Sequence, residues 1–263
     1  MSPYPELAEP RLEIDGRPAT AQTLYPAMTS YAHFTAMQVR ARRTPGLDLH
    51  LARLDDASRE LFGIGLDGER VRELIRHALA DDVEDASVRV RVFRPDARVA
   101  RLSVLVSVHP PVPAPAGPVS LTAVDFQREF VHVKHAGSFG QVYHGLRAEA
   151  AGFGEALLTG PDGVIAEGSI TNVGFLENDR VIWPDAPSLP GIAMLVLQRE
   201  LDRTASGWCR RPVHLSELHR FQGAFVSNSQ GVAPVSRIDG HRFDEQAAAR
   251  VVALYHAAPR DPI

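Results

Sequence analysis

The chain contains a single lysine and a single cysteine. Lysine and arginine together number 28, so Lys134 stands against 27 arginines. Cys209 alone excludes an internal disulfide and leaves no zinc-type spacing of cysteines. No apolar run approaches the roughly 18–20 residues that span a bilayer, and the first residues lack the charged-then-apolar pattern of a secretory signal. We therefore expect a cytoplasmic protein with no membrane partner.

Strong charge of either sign is also lacking. The formal net charge is -4, with 44% hydrophobic and 23% charged residues, the proportions of an ordinary globular protein. So mild an imbalance gives no reason to expect nucleic acid as a partner. Internal repeats, the glycine-rich phosphate loops of nucleotide-binding proteins and the H-E-x-x-H metal pattern are absent from the sequence, and we expect no metal.

One stretch divides the chain. Residues 109–119 read HPPVPAPAGPV, and prolines at this density prevent a continuous helix or a central strand. We interpret residues 111–118 as a stiff linker. It would join a small N-terminal domain, residues 1–110, to a larger C-terminal domain, residues 119–263.

Both domains mix helices and strands, so the predicted fold class is α+β. In the first, LHLARLDDASRELFG and ERVRELIRHALADD have helical spacing, and SVRVRVF alternates valine inward with arginine outward as a half-buried strand does. In the second, FVHVKH predicts a strand, EALLTGPDGVIAEG and NVGFLENDRVIWP predict hairpins, and DEQAAARVVALYHAA predicts a terminal helix. The hairpins disfavour an open doubly wound parallel sheet.

Lys134 is a candidate for covalent chemistry. Arginine replaces lysine in almost every solvated or ion-paired role, but not as an amine nucleophile, because a guanidinium stays protonated and forms no useful Schiff base. A lysine retained in a chain that otherwise uses arginine is therefore more often a nucleophile than an average lysine is. The alternative is that an arginine-rich composition left one lysine on the surface by chance.

Two further stretches fit the same chemistry. Glu167 follows Lys134 by 33 residues and ends an apolar strand in VIAEGSITNVGF, where a carboxylate can keep a pyridine nitrogen protonated. SLPGIAM, residues 188–194, places a glycine turn before a helix, whose exposed amides can bind a phosphate. Each pattern alone is weak, because hairpin glutamates are usually solvated and Pro-Gly often simply precedes a helix.

In sequence order, Lys134, AEGSITNVGF, LPGI and SNSQGVAPVSRIDG resemble the class IV pyridoxal-phosphate aminotransferases. That family includes branched-chain aminotransferases, D-amino-acid transaminases and aminodeoxychorismate lyases. FTAMQVRARRTPGLDLHLARLDDAS is similar to its N-terminal strand, hairpin and H-x-x-R-L helix start, so the resemblance covers roughly residues 30–240. It implies the two-domain type IV fold, a small N-terminal α/β domain and a larger barrel-like one with pyridoxal 5'-phosphate between them, and a homodimer.

The resemblance also implies roles for the matching residues. Lys134 would form the Schiff base with pyridoxal phosphate and move the proton during the reaction, and Glu167 would pair with the pyridine nitrogen. Asn172 would have a structural role at the hairpin. The implied phosphate-binding residues are Arg53, the backbone amides of Ile192 and Ala193, and the polar side chains of Asn228 and Ser229.

Three departures from the family pattern bear on the reaction. The tyrosine that family transaminases carry five residues after the lysine is Phe139 here, with Tyr143 as a candidate substitute. Ala193 stands where the family has a threonine or serine after LPGI. The catalytic threonine of the lyases matches Ala36, which counts against the lyase reaction, although Thr35 is adjacent.

The residues expected near the substrate are Phe34, Ala36, Arg94, Arg98 and Phe139. The two arginines come from the loop FRPDAR. The alternative is that they are solvated charges of a turn and do not contact the substrate. The favoured function is an aminotransferase that moves an amino group between an amino acid or amine and a 2-oxo acid by a ping-pong Schiff-base mechanism. The alternatives are a 4-amino-4-deoxychorismate lyase, which releases pyruvate and an aromatic amine, and a catalytically silent cofactor-binding or scaffold dimer.

Overall fold

The computed structural model describes residues 10–178 and 180–263. The first nine residues, where no signal is expected, and Asp179 in a predicted hairpin turn lie outside the described residues. The chain forms two compact units: residues up to 112, 133–137 and 259–263 make the first, and residues 113–132 and 138–258 the second. The main division falls inside the predicted linker. Two short segments that the prediction gave to the C-terminal domain, one carrying Lys134, belong to the first unit.

An antiparallel sheet forms the centre of the first unit. Its strands are β1 (Arg11–Ile14), β2 (Arg17–Pro18), β3 (His33–Val39), β5 (Ala86–Phe93) and β6 (Ser103–His109), in the order β2-β1-β6-β5-β3. A separate two-stranded pair joins β4 (Arg43–Thr44) to β16 (Asp261–Pro262). The predicted alternation of SVRVRVF is confirmed, because Val88, Val90 and Val92 are buried in the hydrophobic core.

Helices lie on both faces of this sheet, two on its core face and the first in the chain beside Phe93 on the other face. They are α1 (Ala21–Ala27), α2 (Leu47–Phe62) and α3 (Gly68–Leu79). Helix α2 ends at Gly63, whose φ of 67° is left-handed and suits glycine. Helix α3 buries the apolar stripe that its spacing predicts, including Val71 and Ile75.

The second unit contains a long curled sheet. Its strands are β7 (Val119–Asp125), β8 (Glu155–Thr159), β9 (Ile165–Gly168), β10 (Asn172–Glu177), β11 (Arg180–Pro184), β12 (Trp208–Arg211), β13 (Gly223–Asn228), β14 (Gly231–Ile238) and β15 (His241–Arg242). The order is β12-β11-β10-β13-β14-β7-β8-β9, with β15 paired to β14. Pairing is antiparallel except at β11–β12, β14–β7 and β7–β8. Both predicted hairpins, β8–β9 and β10–β11, are present.

Helices α4 (Phe139–Ala150), α5 (Ile192–Arg203) and α6 (Ala249–Ala257) accompany this sheet. Side chains of α5 and α6 share a core with Trp183 and Phe225, which lie on the sheet. The predicted terminal helix begins as a 3₁₀ turn at Glu245–Ala248 and becomes α-helical at Ala249. Among the described residues, no helix is long and apolar enough to cross a membrane.

The predicted strand FVHVKH is wrong. Residues 129–132 form turns, and Phe130 has a φ of 47°, a left-handed value that interrupts an extended strand. The Arg128 side chain closes the turn by donating to the Val131 carbonyl at 2.8 Å. His135 makes an isolated bridge to β3, so Lys134 does not share a regular strand face with His132.

Candidate active site

Lys134 lies beside the edge strand β3 of the first unit. Its carbonyl accepts from the Phe34 amide at 2.9 Å, and two residues later the Ala136 amide donates to the Ala32 carbonyl at 2.7 Å. This antiparallel register sets Lys134 opposite Phe34, and its Nζ lies 5.0 Å from the centroid of the Phe34 ring. Pairing with β3 therefore fixes the backbone of Lys134, and its amine lies near the Phe34 ring.

Two arginines share this face of the sheet. Residues of β3 alternate between the core and the opposite face, to which Phe34 and Ala36 belong. In the register with β5, Arg91 lies opposite Phe34 and Arg89 opposite Ala36. The Arg89 guanidinium carbon is 5.0 Å from the Phe34 ring centroid, so one ring contacts two cations. We call Lys134, Phe34, Arg89 and Arg91 the cationic face.

The charges of the cationic face act on one another. Burial lowers the pKa of Arg89, and burial together with the positive charge of Arg89 lowers the pKa of Arg91. Sequence reasoning singled out neither residue, because the alternation of SVRVRVF says only that its arginines face away from the core. The signal that could have found them is the same alternation, which excludes them from the core and places them on the face of Phe34.

Arg53 and Lys134 both influence His50, which is buried on α2. Burial, then the positive charges of Arg53 and Lys134, lower the pKa of His50 to about 3, while Asp48 opposes them. His50 is therefore uncharged at neutral pH, and its Nδ1 lies 2.6 Å from the Thr35 hydroxyl. The structure thus brings the predicted phosphate-binding arginine and the predicted catalytic lysine close to one neutral imidazole.

Thr35 cannot replace the lyase threonine whose position matches Ala36. Its side chain is buried and bonded to His50, on the opposite face of β3 from Phe34 and Ala36. The cationic face therefore gains no hydroxyl group from Thr35.

Glu167 lies near the end of β9 in the second unit, with its side chain only 6% exposed. One oxygen, Oε2, accepts from the Leu189 amide at 3.0 Å. The other, Oε1, lies 3.2 Å from Nε of Arg128, whose side chain is equally buried. Sequence reasoning did not single out Arg128, because an ion pair between residues 39 positions apart leaves no local pattern.

The residue Leu189 is held from two sides. The Asn172 side-chain amide donates to the Leu189 carbonyl at 2.7 Å, while Glu167 accepts from its amide. A Cβ atom on Gly191 would lie 1.8 Å from Oδ1 of Asn172, so a larger residue here would displace Asn172 or the loop. Asn172 and Glu167 therefore fix the loop that enters α5.

A second buried carboxylate supports the turn that follows Glu167. Glu155 accepts from the amides of Ile170 at 2.7 Å and Thr171 at 3.1 Å, and from the Thr171 hydroxyl. Burial raises the pKa of Glu155 despite these hydrogen bonds. We call Glu155, Glu167, Asn172 and Leu189 the carboxylate network. Sequence reasoning also missed Glu155, whose partners lie 14–16 residues away.

The N-terminus of α5 is suited to an anion. Its N-cap, Gly191, makes no side-chain cap, and the first turn has no acidic residue. Within the described residues the amides of Ile192 and Ala193 therefore have no side-chain acceptor, and helix N-termini favour negative charge. Asn228 and Ser229 are half-buried in the turn after β13. There Oδ1 of Asn228 accepts from the Gln230 amide at 2.8 Å, which shapes the turn.

The remaining predicted substrate residues lie in more exposed settings. Phe139 is 84% exposed at the start of α4, and its ring stacks on that of Tyr143 at 6.2 Å. Arg94 donates to the Val99 carbonyl at 3.0 Å. Arg98 binds Asp96 through two hydrogen bonds, at 3.0 and 2.9 Å. These contacts stabilise the loop between β5 and β6, and the substrate roles of Phe139, Arg94 and Arg98 stay predictions.

Comparison with known proteins places this geometry in a family. The model of the class IV amino-transferases matches residues 32–238. A branched-chain-amino-acid aminotransferase-like protein of Arabidopsis thaliana is 24% identical over 220 residues, which are 76% of this chain and 39% of that protein. The chain thus spans well under half the length of that curated relative.

Solved structures share the fold. A hypothetical aminotransferase from Mycobacterium tuberculosis in its PLP-bound form matches with a TM-score of 0.81 and 20% identity, over 94% of this chain and 97% of that one. A branched-chain aminotransferase from Thermoproteus uzoniensis with norvaline matches with a TM-score of 0.81 and 18% identity, over 93% of each chain. A proposed 4-amino-4-deoxychorismate lyase from Legionella pneumophila matches with a TM-score of 0.77 and 18% identity, over 86% and 90%.

Proposed function

This chain belongs to the class IV aminotransferase family, whose cofactor is pyridoxal 5'-phosphate, and we propose on that basis that it transfers an amino group between an amino acid or amine and a 2-oxo acid. The observation that carries the proposal is the cationic face. The chain's one lysine amine stands on a sheet face beside Arg89, where an anionic substrate is attracted.

The residues present fit the cofactor. The N-terminus of α5 has no side-chain cap, and its backbone amides are suited to a phosphate. Arg53 of the first unit is the arginine that the resemblance assigns to the phosphate, and its fork-shaped guanidinium suits that role. Glu167 is a buried carboxylate suited to a protonated ring nitrogen. When bound, pyridoxal phosphate supplies an electron-withdrawing ring that stabilises negative charge on the α-carbon of a substrate. Lys134 supplies the amine that holds the cofactor and the base that moves the α-proton.

We assign the substrate carboxylate to Arg89. Its guanidinium flanks the same ring as the Lys134 amine, and within the described residues no acidic side chain pairs with it. Arg91 donates to the Thr29 carbonyl and raises the positive charge of the face without needing to touch the substrate. A planar guanidinium matches a carboxylate through two parallel hydrogen bonds.

Transamination is favoured over the lyase reaction by the orientation of Thr35. The position that matches the lyase threonine is Ala36, and the neighbouring hydroxyl is bonded to His50 on the other face of β3. The scaffold alternative draws on Phe139 and Ala193, which lack the family's hydroxyls. The backbone amides of α5 can bind a phosphate whatever side chain residue 193 carries. The absence of a hydroxyl group at Ala193 is therefore compatible with phosphate binding.

We further propose a homodimer in which a second copy covers the exposed face of α4. The apolar residues exposed there share one side of the helix, and Ile170 lies nearby because Gln141 of α4 donates to the Ser169 carbonyl at 3.3 Å. Contiguous exposed apolar surface of this kind marks protein interfaces. The residues are Phe139 (84% exposed), Val142 (51%), Tyr143 (47%), Leu146 (59%) and Ile170 (63%).

A half-reaction assay tests the proposed reaction. Protein loaded with pyridoxal phosphate is mixed with single amino donors, and conversion of the cofactor to its amine form is followed by absorbance. We expect at least one amino acid or amine to convert it, and a 2-oxo acid to reverse the change. Absence of conversion across a broad donor panel refutes the transaminase. Release of pyruvate from 4-amino-4-deoxychorismate without an oxo acid would identify the lyase instead.

A further inference from the structure

The buried ion pair between Arg128 and Glu167 lies outside the roles assigned so far. Both side chains are almost fully buried, with 5% and 6% of their surfaces exposed, and Nε of Arg128 is 3.2 Å from Oε1 of Glu167. A terminal nitrogen of Arg128 donates to the Val131 carbonyl at 2.8 Å. Arg128 is thereby tied to the turn at residues 129–132, which ends two residues before Lys134 in the sequence.

Burial of this pair constrains its charge state. A guanidinium stays protonated at any pH a protein tolerates. A cation buried without a counter-charge is costly, so the charged Arg128 favours the ionised form of the carboxylate beside it. The Leu189 amide donates to the other oxygen, which also favours the carboxylate anion.

The contacts also restrict the orientation of Glu167. Arg128 engages Oε1 and Leu189 engages Oε2, so rotation of the carboxylate would break one contact or the other. Each carboxylate oxygen has a second lone pair and can accept a further hydrogen bond. The carboxylate is therefore oriented and charged before any cofactor arrives.

We propose that Arg128 is a positioning residue that keeps Glu167 ionised and oriented, and so keeps the shared proton on the cofactor's ring nitrogen rather than on the carboxyl group. The inference rests on the proposed pairing of Glu167 with that nitrogen. A proton between the two groups has two locations, on the carboxyl oxygen or on the nitrogen. Because Arg128 touches the carboxylate directly, its attraction for the anion exceeds its repulsion of a protonated nitrogen beyond it.

The test uses the holoprotein and pyridoxal phosphate labelled with nitrogen-15 in the ring. The ring-nitrogen chemical shift reports protonation independently of turnover. At neutral pH we expect the protonated signal in the wild type and in Arg128→Lys, which keeps the charge. In Arg128→Met we expect the equilibrium to shift towards the unprotonated nitrogen by about tenfold or more, the effect of one charge within 4–6 Å of a carboxyl group. Arg250→Met, on the exposed surface of α6, is the matched control.

A second measurement keeps the proposal falsifiable if the neutral variant does not fold. The infrared difference spectrum between wild-type apoprotein and Glu167→Gln isolates the absorption of that one side chain. We expect a carboxylate band, and a protonated carboxyl band would overturn the proposal. A folded Arg128→Met protein with an unchanged protonated ring signal would also overturn the proposal. Arg128 would then have a structural role only, measured by the lower melting temperature of the variant.

These outcomes are distinct from failure of the proposed function. If the wild-type ring nitrogen is protonated and Glu167→Gln abolishes this protonation, the assignment of Glu167 stands whatever Arg128→Met does. If Glu167→Gln leaves the nitrogen signal unchanged, the assignment of Glu167 itself is wrong and the inference about Arg128 falls with it.

Discussion

The two units of this protein carry key residues of opposite charge. In the first, Lys134 shares a sheet face with Arg89 and Arg91, over an aromatic ring. In the second, Glu167 and Glu155 are buried carboxylates whose oxygens accept backbone amides. The first arrangement suits anionic groups such as a substrate carboxylate, and the second suits a protonated ring nitrogen.

The contrast extends to how each site is held in place. The carboxylate network is fixed by side chains that bond to a loop and by glycines whose replacement would collide with it. Lys134 is placed by backbone pairing to β3, which leaves its side chain to be oriented by neighbouring charges and the Phe34 ring. A carboxylate that is fixed in place suits electrostatic stabilisation. A lysine that is anchored only through its backbone suits a base whose amine must move a proton.

The largest expected effect comes from removing the charge of Glu167. Glu167→Gln keeps the shape of the side chain and loses the anion, so we expect kcat/KM for the best amino donor to fall by about 10²–10³-fold, as when one preorganised electrostatic group is removed. Glu245→Gln, at an exposed position of the same unit, should leave it unchanged. A Glu167→Gln enzyme within about threefold of wild type would contradict the contrast between the units.

On the cationic face, Arg89→Met should weaken binding of the carboxylate substrate. A hydrogen bond to a charged group contributes about 1.5–3 kcal/mol, so we expect KM for the 2-oxo acid to rise by about 10–100-fold. Steady-state kinetics measure it, with Arg98→Met as the exposed control. If Arg98→Met raises KM and Arg89→Met does not, the substrate is bound by the loop between β5 and β6, as the sequence predicts.

Rigidity of the carboxylate network is tested by Gly191→Ala. The new Cβ would lie 1.8 Å from Oδ1 of Asn172, so either the loop or Asn172 must move. Overpacking of this kind typically costs about 1–3 kcal/mol, and we expect weaker binding of pyridoxal phosphate together with a lower melting temperature. Gly117→Ala, where a Cβ would meet no atom within 4 Å, should change neither. Unchanged cofactor affinity in a folded Gly191→Ala would show that the loop adapts.

The smallest expected effect is a difference in acid sensitivity. The folded state depresses the pKa of His50 to about 3, below its ordinary value of 6.5. The unfolded state therefore binds the proton first, and the free energy of opening the first unit falls as pH drops through 6.5 towards 3. Burial raises the pKa of Glu155, so the folded state binds this proton more readily than the unfolded state. Acid therefore stabilises the second unit at this residue.

Hydrogen exchange at pH 7.5 and 5.5, corrected for intrinsic rates, measures this difference. We expect protection of β3 and α2 to fall on acidification, with His50 contributing about 1 kcal/mol. His50→Gln should reduce that loss, whereas the exposed His256→Gln should not. Equal acid sensitivity of His50→Gln and wild type would show that the imidazole does not govern it.

The sequence predicts local patterns of this protein better than it predicts contacts between distant segments. The helical stripe of α3 and the alternation of β5 depend on neighbouring residues, and both are confirmed. FVHVKH alternates in the same way yet forms turns, because the left-handed Phe130 and the pairing of 134–136 with β3 override its pattern. Motif resemblance predicts Lys134 and Glu167 as site residues and the cofactor of the family.

The partners of the site residues could not be predicted in this way. Arg128 and Glu155 contact the Glu167 region through pairings of residues far apart in sequence. Arg89 follows from the alternation of β5 only when the register with Phe34 is known. Charge and spacing along one segment carry no information about which strand lies opposite.

The most direct test of the account is covalent capture of the cofactor at Lys134. Protein incubated with pyridoxal phosphate is reduced with borohydride, digested and mapped by mass spectrometry, with Lys134→Arg as the charge-preserving control. Because the chain has one lysine, the N-terminal amine is the competing site. We predict a pyridoxyl adduct on the peptide that contains VHVKHAG, and none in Lys134→Arg. Full cofactor binding without an adduct on Lys134 would contradict the account.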